Sequence, residues 1–281
     1  VAERVGVPVR LVNARMSPRS RRRFERFAAW IRPVYSKLDG VAVQEEGAVE
    51  VWRKLGVSAE CIEVTGSLKF DPANGVSPSR REDFAELLDR YAAGRRVVLA
   101  ASTHAGEEVL VGRAVRAAGG FFLCVPRHAE RGAEVRQALE AEGFEVVLKS
   151  DSAHPVNRGS CCLVVDTTGE LCDWTAHADV VVVGKSFLGE GGQNPAEAIR
   201  AGKALVFGPH MENFEPLASD LVVAGGAHRV GGEEALRLLL KQWFSSEVEV
   251  SGAAARRVLG RHEGATRRVL DMLLRSDRGT G

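Results

Sequence analysis

The chain has 281 residues, 45% of them hydrophobic, and a formal net charge of +1. This length exceeds one typical domain, and the hydrophobic fraction is sufficient for sizeable buried cores. The near-neutral charge argues against nucleic acid as a partner, and no apolar run approaches the roughly 18 residues that a membrane span requires. The chain begins with Val and shows no signal-peptide profile, so we expect it to be part of a longer protein.

The first part of the chain alternates strand and helix patterns. Short apolar runs predict strands at 9–13, 40–43 and 61–64, with helices at 20–38 and 46–55. The segment 71–78 is polar and rich in turn residues, and we interpret it as a domain linker. The linker separates a first domain, residues 1–75, from a second domain, residues 76–240.

A new series of strands follows the linker. Continuous apolar runs predict strands at 96–100, 121–125, 145–148, 161–165, 180–183 and 204–207. Such runs between helical segments are typical of a parallel sheet covered on both faces, in which ligands bind at the carboxyl ends of the strands. The last residues, 241–281, are predicted to be helices that pack back toward the N-terminal domain.

Five cysteines and seven histidines are present, but their spacing is not that of a metal site. The sequence contains no C-x-x-C, H-E-x-x-H or D-x-D motif. Three of the cysteines fall in strand-like apolar runs, which is typical of core cysteines in a reducing compartment. We therefore expect neither a disulfide framework nor a dedicated metal site.

The segment 191–197, Gly-Gly-Gln-Asn-Pro-Ala-Glu, has the pattern of a helix start that holds a ligand. Asn194 is a preferred N-cap residue, Pro195 suits the first helical position, and Glu197 lies where a capping box has its carboxylate. The two glycines would let an anion approach backbone N–H groups closely. An ordinary strand–loop–helix unit with good caps shows the same pattern, so both interpretations stay open.

Polar motifs also follow the other predicted strands of the second domain. They are Ala-Ser-Thr-His-Ala-Gly-Glu-Glu at 101–108, Pro-Arg-His-Ala-Glu-Arg at 126–131, Asp-Thr-Thr-Gly-Glu-Leu at 166–171, Gly-Lys-Ser-Phe at 184–187 and Gly-Pro-His-Met-Glu-Asn-Phe at 208–214. Helix capping accounts for part of the first motif. Arg127 and Arg131 suit phosphate oxygens, because a guanidinium donates hydrogen bonds as a fork. Together the motifs predict one ligand site at one edge of the sheet.

These motifs resemble those of the bacterial 3-deoxy-D-manno-octulosonic acid (Kdo) transferases. Two more lie in the first domain: Asn-Ala-Arg-Met-Ser at 13–17 and Thr-Gly-Ser-Leu-Lys-Phe-Asp at 65–71. All recur in the family's order from residue 1 to about residue 215. The resemblance implies an α/β fold of the GT-B class, with two Rossmann-like domains whose parallel sheets face a cleft. The first domain is expected to be incomplete in this chain.

The resemblance also implies a function. The family transfers Kdo, with inversion, from CMP-Kdo to a lipid A precursor (lipid IVA) in lipopolysaccharide biosynthesis, without a metal or cofactor, at the cytoplasmic face of the inner membrane. Lys69 matches a family residue that stabilises transition-state charge. The residues implied to bind CMP are Pro126, Arg127, Thr168, Gly169, Glu170, Asn194, Pro195, Ala196 and Glu197. Further donor-side candidates are Ser102, Thr103, His104, Lys185, Ser186, Gly192 and Gln193.

Arg127 is expected to lie close to the phosphate, and Glu197 to accept hydrogen bonds from the ribose. Lys185 departs from the small residue usual in the family, and either contacts phosphate or faces solvent. Gln193 stands where many members have His. The family's catalytic Glu, an acidic motif and the membrane anchor lie upstream of residue 1, so we expect this chain to bind the donor without transferring Kdo.

Two other functions stay open from the sequence. One is another GT-B enzyme, such as a UDP-sugar transferase or a UDP-N-acetylglucosamine 2-epimerase, which preferential binding of UDP over CMP would indicate. The other is a fragment that binds nucleotide and catalyses nothing. The arginine-rich segment 17–32 carries an apolar stripe, Phe24, Phe27, Trp30 and Ile31. We expect the stripe to be core, and the arginines to be available to acidic phospholipid or lipid A phosphates.

Overall fold

A computed structural model describes residues 6–71, 77–152, 161–245 and 252–275. The chain divides into two compact units. The first contains residues Val1–Gly75 and Leu259–Gly281, and the second contains Val76–Val258. Among the described residues, no helix has both the length and the apolar character that a membrane crossing needs.

The first unit is built on a three-stranded parallel sheet. Its strands are β1 (Arg10–Ala14), β2 (Gly40–Val43) and β3 (Ile62–Val64), in that order across the sheet. Its helices are α1 (Pro18–Arg26), α2 (Ala28–Tyr35), α3 (Glu46–Lys54) and α12 (Ala265–Leu274); α11 (Ala253–Gly260) straddles the boundary between the units.

Strand β2 supplies both faces of the core of the first unit. Its side chains alternate between the two faces of the sheet, as in any strand. Val41 and Val43 are buried with Trp52 of α3 on one face. On the other face Ala42 packs with two residues of α12, Val269 and Met272. Helix α12 therefore covers the second face of this sheet.

The apolar stripe of α1 and α2 is only half buried, so the expectation that it is core is wrong for part of it. Phe24 and Ile31 pack against the core of the first unit. Phe27 is 47% exposed and Trp30 is 84% exposed. The reason is a break in the helix at Phe27, which caps α1 and starts α2 in a non-helical conformation, so that the stripe does not continue along one face.

The second unit has a seven-stranded parallel sheet. Its strands are β4 (Val97–Thr103), β5 (Phe121–Pro126), β6 (Glu145–Leu148), β7 (Cys161–Val164), β8 (Val180–Val183), β9 (Ala204–Phe207) and β10 (His228–Arg229), in the order β10-β9-β8-β4-β5-β7-β6. The six strands predicted from the sequence are all present. The short β10 was not predicted, because two exposed polar residues give no apolar run.

Helices cover this sheet on both faces, as continuous apolar strands require. They are α4 (Glu82–Ala92), α5 (Glu107–Ala117), α6 (Gly132–Ala141), α7 (Leu171–His177), α8 (Ala196–Arg200), α9 (Leu217–Val223) and α10 (Glu233–Ser245). Leu236 and Leu240 of α10 belong to the same core as Val98 and Val182. The second unit consequently extends past residue 240, to Val258.

Candidate nucleotide-binding edge

The carboxyl ends of five strands of the second unit form one edge. All these strands pair in parallel, so the loops after β4, β5, β7, β8 and β9 emerge on the same side. Backbone hydrogen bonds join neighbouring loops at the strand ends. The N–H of Arg127 donates to Thr103 O at 3.0 Å, and the N–H of Gly184 donates to Ala101 O at 2.8 Å. The predicted motifs are thus brought together.

The strand order reverses between β4 and β8. The chain moves from β4 to β5 on one side, and later returns to β8 on the other side of β4. Loops leave such a point in opposite directions, and ligands of parallel sheets bind in the resulting crevice. Gly184 is required here, because a Cβ on it would lie 2.3 Å from Ser102 O. Ser102 is itself buried, with a left-handed backbone (φ 56°).

Glu107 joins the two loops on either side of this reversal. Its side chain is completely buried, and its Oε2 accepts the N–H of His104 (3.0 Å) and of Lys185 (2.5 Å). Its Oε1 accepts the N–H of Phe187 at 2.9 Å. Three backbone donors therefore compensate one buried carboxylate. The sequence places Glu107 only in the first turn of a helix, and does not reveal this role.

Arg131 has internal partners, in contrast to the expectation that both arginines of its motif suit a ligand. Its Nη1 lies 2.8 Å from the buried carboxylate of Glu108, and its Nη2 lies 2.8 Å from Glu134. Glu108 also accepts the hydroxyl of Thr103 at 2.9 Å, so this donor-side candidate is engaged within the protein. These side chains form one internal network beneath the edge.

Arg127 differs from Arg131. It follows the buried Pro126 at the end of β5, and its side chain is exposed. No described residue forms an ion pair or a side-chain hydrogen bond with its guanidinium, although its backbone N–H is engaged by Thr103. A cation without an internal partner at a strand end is available to a ligand anion.

The loop after β7 exposes Thr168 and Gly169. Gly169 has φ 80° and open space around it, and Thr168 is exposed. The carboxylate of Glu170 is held by Lys149, at 3.0 Å, and by the hydroxyl of Thr167. Both oxygens of Glu170 therefore have partners, which leaves the exposed residues 168–169 as the accessible part of this loop.

The N–H groups of both glycines of segment 191–197 are engaged within the protein. The N–H of Gly191 donates to Glu212 at 2.7 Å, and the N–H of Gly192 donates to Lys185 O at 3.0 Å. Both glycines have positive φ, and a Cβ on either would collide with Met211 or Asn213. Their role is to let the loop after β9 pack closely.

Helix α8 begins at Ala196, which is buried, with Pro195 as its cap residue. The exposed Asn194 accepts the N–H of Ala196 through its side chain at 3.1 Å. Glu197 is half-buried, and its Oε2 is buried without a hydrogen-bond partner among the described residues. Burial raises the pKa of Glu197, and only the positive charge of Arg200 opposes this effect. A capping-box bond to Oε2 is therefore absent.

Of the remaining donor-side candidates, some have internal hydrogen-bond partners and others do not. Ser186 is completely buried; its hydroxyl donates to Val183 O at 2.6 Å and accepts the N–H of Gly208 at 2.8 Å. His104 has a buried Nδ1 without a partner in the described part of the chain. Gln193 is half-buried on the loop before Asn194.

Lys69 lies in the first unit, in the turn after β3. Partial burial lowers its pKa, and the nearby charge of Arg15 adds to this effect. The N–H of the preceding Leu68 donates to Asn13 Oδ1 at 3.4 Å. Asn13 lines a cavity of 340 Å³ at the end of β1. Within the described ranges, no group of three or more His, Cys, Asp or Glu residues is placed to hold a metal.

Comparison with known proteins identifies the relatives of this chain. A family model described as 3-deoxy-D-manno-octulosonic-acid transferase (kdotransferase) matches residues 1–72. The 3-deoxy-D-manno-octulosonic acid transferase of Bordetella pertussis is 35% identical over 283 residues, and that of Haemophilus influenzae is 30% identical over 277 residues. Each match covers 95% of this chain and 64% of the relative. Over this span, which is less than two thirds of each relative's length, the chain is similar to the Kdo transferases.

Solved structures show the fold. The C-terminal CMP-Kdo binding domain of WaaA from Acinetobacter baumannii matches with a TM-score of 0.51 at 24% identity, over 69% of this chain and 97% of that domain. A putative UDP-N-acetylglucosamine 2-epimerase from Listeria monocytogenes matches with a TM-score of 0.58 at 12% identity, over 97% of this chain and 68% of the other. The chain therefore has the α/β fold of the GT-B class, with parallel sheets, as the sequence predicts.

Proposed function

We propose that the second unit binds CMP-Kdo, and that the chain is the donor-binding part of a transferase of lipopolysaccharide biosynthesis. The observation that carries the proposal is the contrast between two arginines of one motif. Arg131 is paired with Glu108 and Glu134, whereas the exposed Arg127 has no partner among the described residues. The likeness to Kdo transferases and to the CMP-Kdo binding domain of WaaA supports this choice of nucleotide sugar.

The proposed contacts use the groups whose charge or hydrogen-bonding capacity is not satisfied by other described residues. CMP-Kdo carries one phosphodiester, so the guanidinium of Arg127 can neutralise it without a metal. The exposed residues Thr168 and Gly169 would face the nucleotide. The unpartnered Oε2 of Glu197 would accept a ribose hydroxyl, which relieves the cost of a buried acceptor. Pro126, Asn194, Pro195 and Ala196 would shape the pocket around these groups.

We also propose that Lys69 acts on the transfer step. A cationic side chain at the site of reaction stabilises the negative charge that develops on departing CMP. Its depressed pKa reflects partial burial, and the ammonium is repelled by Arg15, so an anion would relieve that repulsion. In an assay of Kdo transfer, Lys69→Ala should lower kcat more than donor affinity. The acceptor that we propose is a lipid A precursor.

The donor proposal is tested by calorimetric titration of the chain with CMP. We expect Arg127→Ala to weaken CMP binding about 10- to 100-fold, the equivalent of one charge-assisted hydrogen bond. The matched control is His128→Ala, which removes an exposed neighbour whose contact with Glu130 is 4.0 Å long. Unchanged affinity in Arg127→Ala, or tighter binding of UDP than of CMP, would overturn the proposal; the second result would indicate a UDP-sugar enzyme.

We further propose that helices α1 and α2 contact the anionic surface of the inner membrane. Trp30, Val34 and Phe27 are exposed apolar side chains, and Arg21, Arg22, Arg23 and Arg26 lie on the adjoining α1. Exposed aromatic and basic groups together bind anionic lipid. Trp30→Ser should reduce sedimentation with phosphatidylglycerol vesicles, whereas Val223→Ser, at an exposed position of the second unit, should not. Equal sedimentation of both variants would contradict this location.

A further inference from the structure

Lys185 has an unusual backbone for its residue type. It directly follows Gly184 at the end of β8, at the point where the strand order reverses, and its φ is 55°. Residues other than glycine rarely adopt this left-handed region, and they persist there only where the surrounding structure fixes them. Such residues concentrate at functional sites. A glycine at this position would remove the strain, so the side chain of Lys185 requires an explanation.

The backbone of Lys185 is held from both sides. Its N–H donates to the buried carboxylate of Glu107 at 2.5 Å, and its carbonyl accepts the N–H of Gly192 at 3.0 Å. The same Glu107 oxygen accepts the N–H of His104. Lys185 is therefore fixed beside His104, whose Nδ1 is buried without a partner among the described residues.

The stem of the Lys185 side chain is packed while its charge is unpaired. A Cβ built on Gly189 would lie 3.2 Å from Lys185 Cγ, so the stem runs along the backbone of that glycine. No carboxylate in the described part of the chain forms an ion pair with the ammonium. Two other cations of this edge are paired, Arg131 with Glu108 and Lys149 with Glu170, whereas Arg127 is not paired with any described residue. The fixed backbone and packed stem hold an ammonium that no described carboxylate neutralises.

We propose that Lys185 is a second cationic contact for the donor, binding an anionic oxygen of the nucleotide sugar. This inference rests on the proposed donor function. CMP-Kdo carries two anionic groups, the phosphodiester and the sugar carboxylate, and Arg127 can neutralise only one of them. A lysine ammonium is a compact charge with three donors, and it suits either a phosphate or a carboxylate oxygen. Glu107 is a positioning residue, because it fixes the backbone that carries this ammonium.

The test uses two substitutions at position 185. Lys185→Gly removes the charge and relieves the left-handed backbone, so loss of binding in this variant does not arise from new backbone strain; the unfolding transition of the variant is measured beside its affinity. Lys185→Arg keeps the charge and should retain most of the affinity. Lys241→Met removes an exposed lysine of α10 and serves as the matched charge control. Affinities for cytidine, CMP and CMP-Kdo generated in situ are measured by competition with a fluorescent CMP analogue.

The three ligands distinguish the two anions. If Lys185 binds the carboxylate, Lys185→Gly weakens CMP-Kdo about tenfold or more and leaves CMP unchanged; if it binds phosphate, both weaken and cytidine does not. Equal affinities of Lys185→Gly and wild type for all three ligands would overturn this inference alone, provided that Arg127→Ala still weakens CMP. Absence of CMP binding by the wild-type chain would overturn the donor function as well.

Discussion

Two buried carboxylates on opposite sides of the candidate nucleotide-binding edge differ in their hydrogen-bond partners. Beside β4 and β8, Glu107 is completely buried, and both of its oxygens accept backbone N–H groups. At the start of α8, Glu197 has a buried oxygen without a partner among the described residues, and burial raises its pKa. The first carboxylate completes the loops of the free protein. The second leaves an acceptor that a ligand hydroxyl can satisfy.

The same contrast separates the cations of this edge. Arg131 and Lys149 form ion pairs within the protein, whereas Arg127 and Lys185 have no ion pair with any residue that the structure describes. A fully paired group stabilises the fold, so its removal costs stability first. An unpaired group costs little to remove from the free protein, and its removal costs binding first. Stability and affinity measurements on matched variants therefore test this division.

The largest effect on stability is expected for Glu107→Gln. Glutamine has one acceptor oxygen, and its NH₂ group would face a backbone N–H donor. We expect the free energy of unfolding to fall by about 3 kcal/mol, since hydrogen bonds to a charged group are lost and a donor is left unsatisfied. Urea denaturation measures this loss. The control is Glu130→Gln, at a side chain that is 79% exposed, which should change stability by less than about 0.5 kcal/mol.

A loss in Glu107→Gln no larger than that of the control would show that Glu107 does not hold the two loops together. The comparison of the two carboxylates would then have no energetic basis. A loss of CMP affinity with unchanged stability would instead indicate that Glu107 contributes to ligand binding.

A smaller loss is expected for Arg131→Ala. The side chain of Glu108 is 3% exposed, and it would retain the hydroxyl of Thr103 but lose its ionic partner. Because the Arg131 side chain is 18% exposed, we expect the loss in the free energy of unfolding to be that of a buried acceptor without one partner, about 2 kcal/mol. Arg127→Ala, four residues earlier, should leave stability unchanged within about 0.5 kcal/mol. Equal destabilisation of both variants would contradict the assignment of separate roles to these arginines.

Much of this architecture is predictable from the sequence. The six apolar runs of the second unit predict its strands, because a strand buried on both faces needs a continuous apolar sequence. The parallel pairing then places the motifs at one edge. What the sequence does not supply is the partner of each polar group. Glu107 and Glu108 are adjacent acids in one motif, yet one accepts backbone N–H groups and the other pairs with Arg131.

The role of a glycine is also difficult to predict from the sequence. The sequence pattern around 191–197 suggests backbone N–H groups exposed to an anion, whereas Gly191 and Gly192 are needed for their positive φ and for close packing of Met211 and Asn213. Both requirements select glycine, so the residue type alone does not distinguish them. Likewise, the helical spacing of Phe27 and Trp30 does not reveal the break between α1 and α2 that leaves them exposed.

An effect of opposite sign is expected for Glu197→Gln. A neutral amide in place of the carboxylate removes the cost of burying a charged oxygen that has no partner. We expect the free energy of unfolding at pH 7 to rise by about 1 kcal/mol, while CMP affinity falls about tenfold. Thermal denaturation and calorimetry on the same sample measure both quantities. Destabilisation by this substitution would indicate that Glu197 has a structural partner and, like Glu107, stabilises the free protein.

The smallest effect is the contribution of Glu197 to the pH dependence of stability. Because its pKa is raised in the folded protein, the native state binds more protons than the unfolded state at pH values between the ordinary and the raised pKa. The contribution of Glu197 is therefore greatest below the ordinary pKa of about 4.3 and is lost as the pH rises through its raised pKa. Its slope cannot exceed about 1.4 kcal/mol per pH unit, since one proton is involved.

Subtracting the unfolding free energies of Glu197→Gln from those of the wild type across this range isolates the slope. Saturating CMP should flatten it, since a ribose hydroxyl that donates to Oε2 favours the ionised carboxylate. If CMP leaves the difference curve unaltered, Glu197 does not contact the bound nucleotide.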